Sequence, residues 1–171
     1  LTNGNSQILL AVKSGKAIRF EESKTRPMGR SASGVRGITL ANEQDEVVGM
    51  VTINDMDANI LVVSENGFGK RSSLDDYRTT NRGGKGGKTI SVTEKTGALV
   101  TLKSVTDLDD LMIINKSGIA IRMAVSDLRV MGRATQGVKL INIRDNDSIA
   151  AVAKTMKDDE EVEDISDIDI E

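Results

Sequence analysis

Basic residues recur at fixed distances along this chain, and cations at regular spacing are suited to an anion whose charge also repeats. Arg19, Arg71 and Arg122 stand 52 and 51 residues apart. The same two steps carry Arg26 to Arg78 to Arg129, Arg30 to Arg82 to Arg133, and Arg36 to Lys88 to Lys139. Lys70 adjoins Arg71, and Lys85 lies within Arg82-Gly83-Gly84-Lys85-Gly86-Gly87-Lys88. Glycines let a backbone approach a ligand closely and aim successive N–H groups at anionic oxygens. Arg82, Gly83, Gly84, Lys85 and Gly86 are therefore read as one anion-binding loop. A nucleotide P-loop is a poor rival, because the Gly-x-x-x-x-Gly-Lys-[Ser/Thr] spacing is missing and a strand, not a helix, is expected next. The bland alternative for the arginines is ion pairing between neighbouring repeats, through acids such as Asp75, Asp76 and Asp127. A whole stripe of them on a basic body favours phosphate.

Composition removes most other chemistry. The 171 residues include no Cys, no His and no Trp, and Tyr77 is the single tyrosine. Disulfides, Cys/His metal sites, thiol chemistry and His-based triads are excluded together. So few aromatic rings also argue against stacking of unpaired bases. The adjacent acids Asp75/Asp76 and Asp109/Asp110 are read as solvated turns, not as Mg²⁺ sites. No apolar run approaches the roughly 18 residues of a membrane helix. A start at Leu1, with no Met or signal-type segment, reads as a piece of a longer cytoplasmic protein.

The net charge of -3 conceals an asymmetry. Residues 158–171 hold nine acids and no base, which leaves a body of 17 acidic and 23 basic residues, net +6. A basic body with an acidic tail suggests a polyanionic partner and an internal competitor for it. The tail is expected to be disordered in isolation.

The same register positions the cations. Gly15, Gly67 and Gly118 follow the 52 and 51 steps, as do Gly34, Gly86 and Gly137. Each unit reads as four short strands: an apolar run such as Ile8–Val12, a Gly turn, an alternating strand such as Ile119–Met123, and two more after a long loop. The third strand is expected at Ile38–Leu40, Thr89–Val92 and Val138–Ile143. The fourth is expected at Val47–Ile53, Leu99–Val105 and Ile149–Ala153. Repeats are placed at 7–55, 59–107 and 110–158 in a region 1–157, the last overlapping the tail 158–171 by one residue. Four strands per unit at a period near 50 indicate an all-β, propeller-like fold with three four-stranded blades. Closed propellers typically need about 4–8 blades, so further blades are expected before Leu1; an open solenoid is the structural alternative. A curved cationic rim of this kind suits duplex DNA, which it can hold through phosphates without reading bases.

These residues resemble the C-terminal repeats of the A subunit of DNA gyrase and of its relative, the A subunit of topoisomerase IV. The hallmarks are Gly-x-[Ala/Gly]-x-Arg at Gly15–Arg19, Gly67–Arg71 and Gly118–Arg122, with the loops 77–86 and 128–138. Thr80-Asn81-Arg82-Gly83-Gly84-Lys85-Gly86 resembles the gyrase box Gln-Arg-Arg-Gly-Gly-Lys/Arg-Gly with its first two positions changed. The resemblance implies a six-bladed β-pinwheel whose neighbouring blades exchange strands, with DNA wrapped around its basic rim. It implies that the cations of the stripe, with Lys70 and Lys85, bind DNA. It implies a non-catalytic role for this chain, with no cofactor of its own. The complete bacterial enzyme would join gyrase A and B subunits in an A2B2 holoenzyme, use ATP and Mg²⁺, and introduce negative supercoils in the cytoplasm, at the nucleoid. Its cleavage tyrosine would lie outside this chain, leaving Tyr77 a packing role. Topoisomerase IV is the alternative within the family. A protein-interaction propeller binding an acidic partner is the alternative from a different class.

One prediction concerns the tail. Tethered to a +6 body, nine acids dwell near the cations at high effective concentration and compete with phosphate. Ending the chain at Lys157 is expected to tighten duplex-DNA binding, most at low salt where screening is least. Titrations of the intact and shortened chains at two salt concentrations check this; equal low-salt affinities would remove the competitor role.

Overall fold

The structure, a computed structural model, describes residues 2–144 and 146–156. The expectations for the acidic tail fall outside the described residues. Apolar runs meeting at glycine turns fold as antiparallel hairpins: β1 (Gln7–Val12) with β2 (Lys16–Glu21), β4 (Asn59–Ser64) with β5 (Phe68–Ser73), and β8 (Asp109–Asn115) with β9 (Ala120–Ala124). The turn glycines Gly15, Gly67 and Gly118 have φ of +81°, +80° and +88°, a region that side-chain-bearing residues avoid. After each hairpin the chain makes a single 3-10 turn: Glu22–Lys24, Leu74–Asp76 or Val125–Asp127.

The two-residue strands β6 (Gly87–Lys88) and β10 (Val138–Lys139) come next in their repeats. Here the structure corrects the sequence reading. The third strand precedes Thr89–Val92, occupies only Val138–Lys139 of the expected Val138–Ile143, and does not form at Ile38–Leu40. The apolar signal there came from Ile38, Ile90 and Ile141, which are buried in loop conformation. Moreover, β6 pairs with β2 of the preceding repeat, and β10 with β5. The second and third repeats thus each lend a strand backward, the exchange that the resemblance implies.

The last strand of each repeat is β3 (Val47–Ile53), β7 (Leu99–Val105) or β11 (Ile149–Met156). Each pairs antiparallel with the first strand of its own hairpin, with a register shift near its start. The resulting sheet orders are β3-β1-β2-β6, β10-β5-β4-β7 and β11-β8-β9. The third sheet has three strands among the described residues, because none of them follows the third repeat to lend a fourth.

The core also crosses repeat boundaries. Leu99 and Leu102 of β7 are buried with Leu9 and Ala11 of the first repeat. Ile149 and Val152 of β11 are buried with Leu61 and Val63 of the second. Strands β3, β7 and β11 accordingly pack in succession, which leaves the loaned strands at the opposite edge of each sheet.

The turn glycines give a paired test. A Cβ on Gly67 would meet the Ile141 carbonyl oxygen at 2.7 Å, whereas one on Gly118 meets nothing within 4 Å. Gly118→Ala is expected to cost about 1–2 kcal/mol from its left-handed backbone alone. Gly67→Ala is expected to cost more, because the next repeat must also retreat. Urea unfolding of both variants measures the difference.

Candidate nucleic-acid interface

The cations of the stripe separate into two groups. Arg19, Lys70 and Arg71 lie on the second strands of their hairpins, β2 and β5, and are buried at 6%, 0% and 7% exposure. Each reaches the following repeat. Arg19 donates from Nη1 to the carbonyls of Leu74 at 3.0 Å and Tyr77 at 3.1 Å, and from Nε to Gln7. Arg71 donates from Nε to the Leu128 carbonyl and pairs through Nη1 with Asp107. Lys70 donates to the carbonyls of Gly132, at 2.6 Å, and Arg133, and to the Thr135 hydroxyl. Burial lowers Arg19 from its ordinary pKa and pushes Lys70 down to about 8. These three side chains tie repeats together and have little surface left for a ligand. Arg122, at the same register in the third repeat, pairs with Asp110 at 2.7 Å and is exposed.

The second group sits on loops and loaned strands. Arg26, Arg30, Arg36, Arg78, Lys85, Lys88, Arg129 and Lys139 are all exposed. Among the described residues none of the eight side chains has a hydrogen bond or ion pair. Lys88 stands directly across from Lys16 in the β2–β6 pairing, and like charges in that position repel. Arg82 and Arg133 are half-buried. Arg82 donates to the carbonyls of Lys24 and Arg36, both at 2.9 Å. Arg133 lies over the Tyr77 ring, 5.7 Å from its centroid.

Backbone contacts link the loops that carry these cations. Thr39 N–H donates to Gly84 O, and Ser91 N–H donates to Thr135 O. At the junction of the repeats, Arg78, Lys85 and Arg133 border a cleft of about 360 Å³, with Tyr77, Thr80 and Gly87 also on its wall.

Two glycines of the expected anion-binding loop have structural roles. Gly83 N–H donates to Gly37 O and is not free for an anion. Gly86 is required sterically: its φ is +66°, and a Cβ there would lie 2.5 Å from the Ala17 carbonyl. Gly137 repeats this against Gly69. These glycines let the loaned strand lie close to its acceptor.

Lys24 is a basic residue that repeat counting missed. It is exposed, and its carbonyl receives Arg82. Its register partners are Asp76 and Asp127, so periodicity conceals it; only local charge could have found it. Tyr77 is buried, hydrogen-bonded to the Thr89 hydroxyl, and pushed up to about 12 chiefly by burial. The acids also have structural roles. Asp109 accepts from Thr106 N–H and faces Lys154, and Asp76 accepts from Arg133 N–H.

The sequence matches the family described as "DNA gyrase C-terminal domain, beta-propeller" over 7–54, 58–106 and 109–156. The chain belongs to this family. The A subunit of DNA gyrase from Staphylococcus aureus strain MRSA252 is 49% identical over 167 residues, covering 96% of this chain and 19% of the relative. Its Chlamydia trachomatis counterpart is 45% identical over 95% of this chain and 19% of its own length. The chain therefore spans about a fifth of these curated relatives. A solved DNA gyrase A C-terminal domain superposes with a TM-score of 0.80 at 27% identity, over 89% of this chain and 51% of that one. A topoisomerase IV C-terminal domain gives 0.85 at 24% identity, over 91% and 48%, and at that identity it shows the fold alone. Sequence similarity thus ranks gyrase A above the topoisomerase IV alternative. No helix among the described residues is long and apolar enough to cross a membrane.

The division of cations is testable within this gyrase-family domain. Arg19→Ala leaves the Tyr77 carbonyl without its donor and the Leu74 carbonyl with the Tyr77 N–H alone, and a buried group so stranded costs about 1–3 kcal/mol. Arg78→Ala, at an exposed loop position, is expected to stay within about 0.5 kcal/mol of wild type. Urea unfolding separates the two; equal losses would void the distinction.

Proposed function

We propose that this chain is a non-catalytic module that binds duplex DNA through phosphates and bends it around the edge carrying its loaned strands. The observation that supports this best is the set of eight exposed basic side chains without partners among the described residues, on linked loops and loaned strands. A cation held near another cation, as Lys88 is near Lys16, gains when an anion sits between them. Bending a 20–30 bp stretch costs on the order of 1–6 kcal/mol, which several phosphate contacts offset. The DNA-contact set is Arg26, Arg30, Arg36, Arg78, Lys85, Lys88, Arg129, Lys139 and the half-exposed Arg82 and Arg133, with Lys24 added. Arg19, Lys70 and Arg71 leave it, because they are spent on the repeat junctions, and Arg122 stays as a strand position paired to Asp110.

In the longer protein to which the gyrase relatives point, the module would serve the A subunit of a topoisomerase, joined with gyrase B subunits in an A2B2 holoenzyme. ATP and Mg²⁺ would act there, outside this chain, and wrapped DNA would be presented for strand passage toward negative supercoils. Such a protein would work in the bacterial cytoplasm, on the nucleoid.

The test is a salt series with duplex DNA. Log K is expected to fall with log salt at about -0.9 per phosphate neutralised. Lys85→Ala with Arg129→Ala is expected to flatten that slope by about 2 while leaving urea stability unchanged. Affinity should vary little among duplexes of equal flexibility. A salt-independent affinity, or an unchanged slope in the double variant, overturns the reading; preference for an acidic protein over DNA would point to the interaction propeller.

A further inference from the structure

Three residues of the second repeat depart from their sisters, and all three converge on one arginine of the third. Lys70 stands where the other repeats have Ile18 and Ile121, Tyr77 where they have Thr25 and Leu128, and Gly87 where they have Val35 and Val138. Lys70 grips the turn that carries Arg133, through the carbonyls of Gly132 and Arg133 and the Thr135 hydroxyl. The Arg133 guanidinium lies over the Tyr77 ring, 5.7 Å from its centroid. Gly87 completes the arrangement by lacking a side chain. A Cβ there would meet Arg133 Nη1 at 2.7 Å, and Cζ and Nη2 both at 3.2 Å. The guanidinium thus occupies the place of the side chain that both sister positions carry.

The preceding junction is built differently. Arg82, the register partner of Arg133, donates to the carbonyls of Lys24 and Arg36. The Arg133 guanidinium donates to no group among the described residues. Held by its face, a guanidinium keeps its in-plane N–H donors for a ligand. The cleft that Arg133 borders has Arg78 and Lys85 on its wall and, among the described residues, no carboxylate. Its volume of about 360 Å³ leaves room for a phosphate group. These cations come from two repeats, so an anion among them is shared across the junction. An arginine already immobilised against a ring and a strand also loses less freedom on binding than one that rotates freely.

We propose that Gly87, with Tyr77 and Lys70, is a positioning residue that holds the Arg133 guanidinium in a seat for one phosphate group, closed by Arg78 and Lys85. The inference rests on the reading of this chain as a DNA-binding module, and it names the junction of the second and third repeats as a point where the duplex is fixed. The bare seat gathers three cations, and an incoming phosphate relieves their mutual repulsion. Gly87→Val disturbs the seat without removing a charge. Valine stands at both sister positions. The backbone of Gly87 lies outside the left-handed region, and the group that a Cβ displaces is the far end of a flexible side chain.

The experiment titrates duplex DNA at low salt into wild type, Gly87→Val, Arg133→Ala and the double variant. Gly87→Val is expected to weaken binding about three- to tenfold, the loss of one charge-assisted contact. In the Arg133→Ala background the same substitution is expected to change affinity by less than about twofold, because the group it displaces is gone. Its urea midpoint should match wild type. Gly87→Ala, whose Cβ alone lies 2.7 Å from Nη1, repeats the comparison with a smaller side chain. Wild-type affinity in both Gly87 variants overturns the proposal, as does an equal loss in the two backgrounds. A wild type that fails to bind duplex removes the DNA reading itself, whereas binding that survives both Gly87→Val and Arg133→Ala removes only this seat. Inorganic pyrophosphate is the second probe. A Gly87→Val variant that loses pyrophosphate but keeps its grip on DNA assigns the seat to a free phosphate ligand and overturns its role on the duplex.

Discussion

An exposed sheet edge must be paired, covered or blunted, and this requirement organises the whole molecule. A three-stranded hairpin unit leaves the N–H and C=O groups of its second strand open. The next repeat supplies two residues to β2 and two to β5. Such short strands form few backbone bonds, so the junction needs reinforcement. Apolar knobs from β7 and β11 supply it on one side, and buried Arg19, Lys70 and Arg71 supply it on the other. The basic side chains suit this task because a 3-10 turn ends with carbonyls that lack donors. The carbonyls of Tyr77 and Leu128 are in that position, and the Arg19 guanidinium also reaches the Leu74 carbonyl beside the Tyr77 N–H that already serves it.

Much of this was legible in the sequence, for a physical reason. A hairpin needs a glycine at its turn and apolar residues beside it, and both leave marks at single positions. The strands at Val47–Ile53 and Leu99–Val105 were read to the residue. The loaned strands were not, because pairing partners leave no periodic signal when the strand is two residues long. Ile90 and Ile141 drew attention instead, since a buried loop residue and a strand residue are both simply apolar. Repetition of a cation was similarly ambiguous. Arg19 and Arg26 follow the same 52 and 51 steps, yet Arg19 is buried on a strand and Arg26 is exposed in a loop. Register shows that a residue has a position in the repeat; only burial shows what the position does.

Lys70 shows how far a repeat can depart from its sisters and still hold. Ile18 and Ile121 occupy its register. An ammonium in that buried place is costly unless it is fully hydrogen-bonded. Three acceptors on the Gly132–Thr135 turn surround it, and they match the three protons of the charged form. The depressed pKa records the burial that remains uncompensated. By holding that turn, Lys70 also sets where Arg133 emerges beside Tyr77 and Gly87.

Cohesion and binding therefore share segments of chain. Lys88 and Lys139 lie on the same two-residue strands that close the sheets, and Arg133 lies on the turn that Lys70 grips. Repulsion between Lys16 and Lys88 opposes the β2–β6 pairing when the rim is bare. A phosphate placed between them reverses that sign, turning a destabilising pair into two attractive contacts. Any ligand that binds the joined arrangement better than the separated one stabilises it by linkage. DNA on this rim would accordingly tighten the junctions between repeats as it bends, while a rim without DNA would keep them comparatively loose. Placing the cations on the loaned strands, and not on the hairpins alone, would couple the curvature of the array to a polyanion bound there.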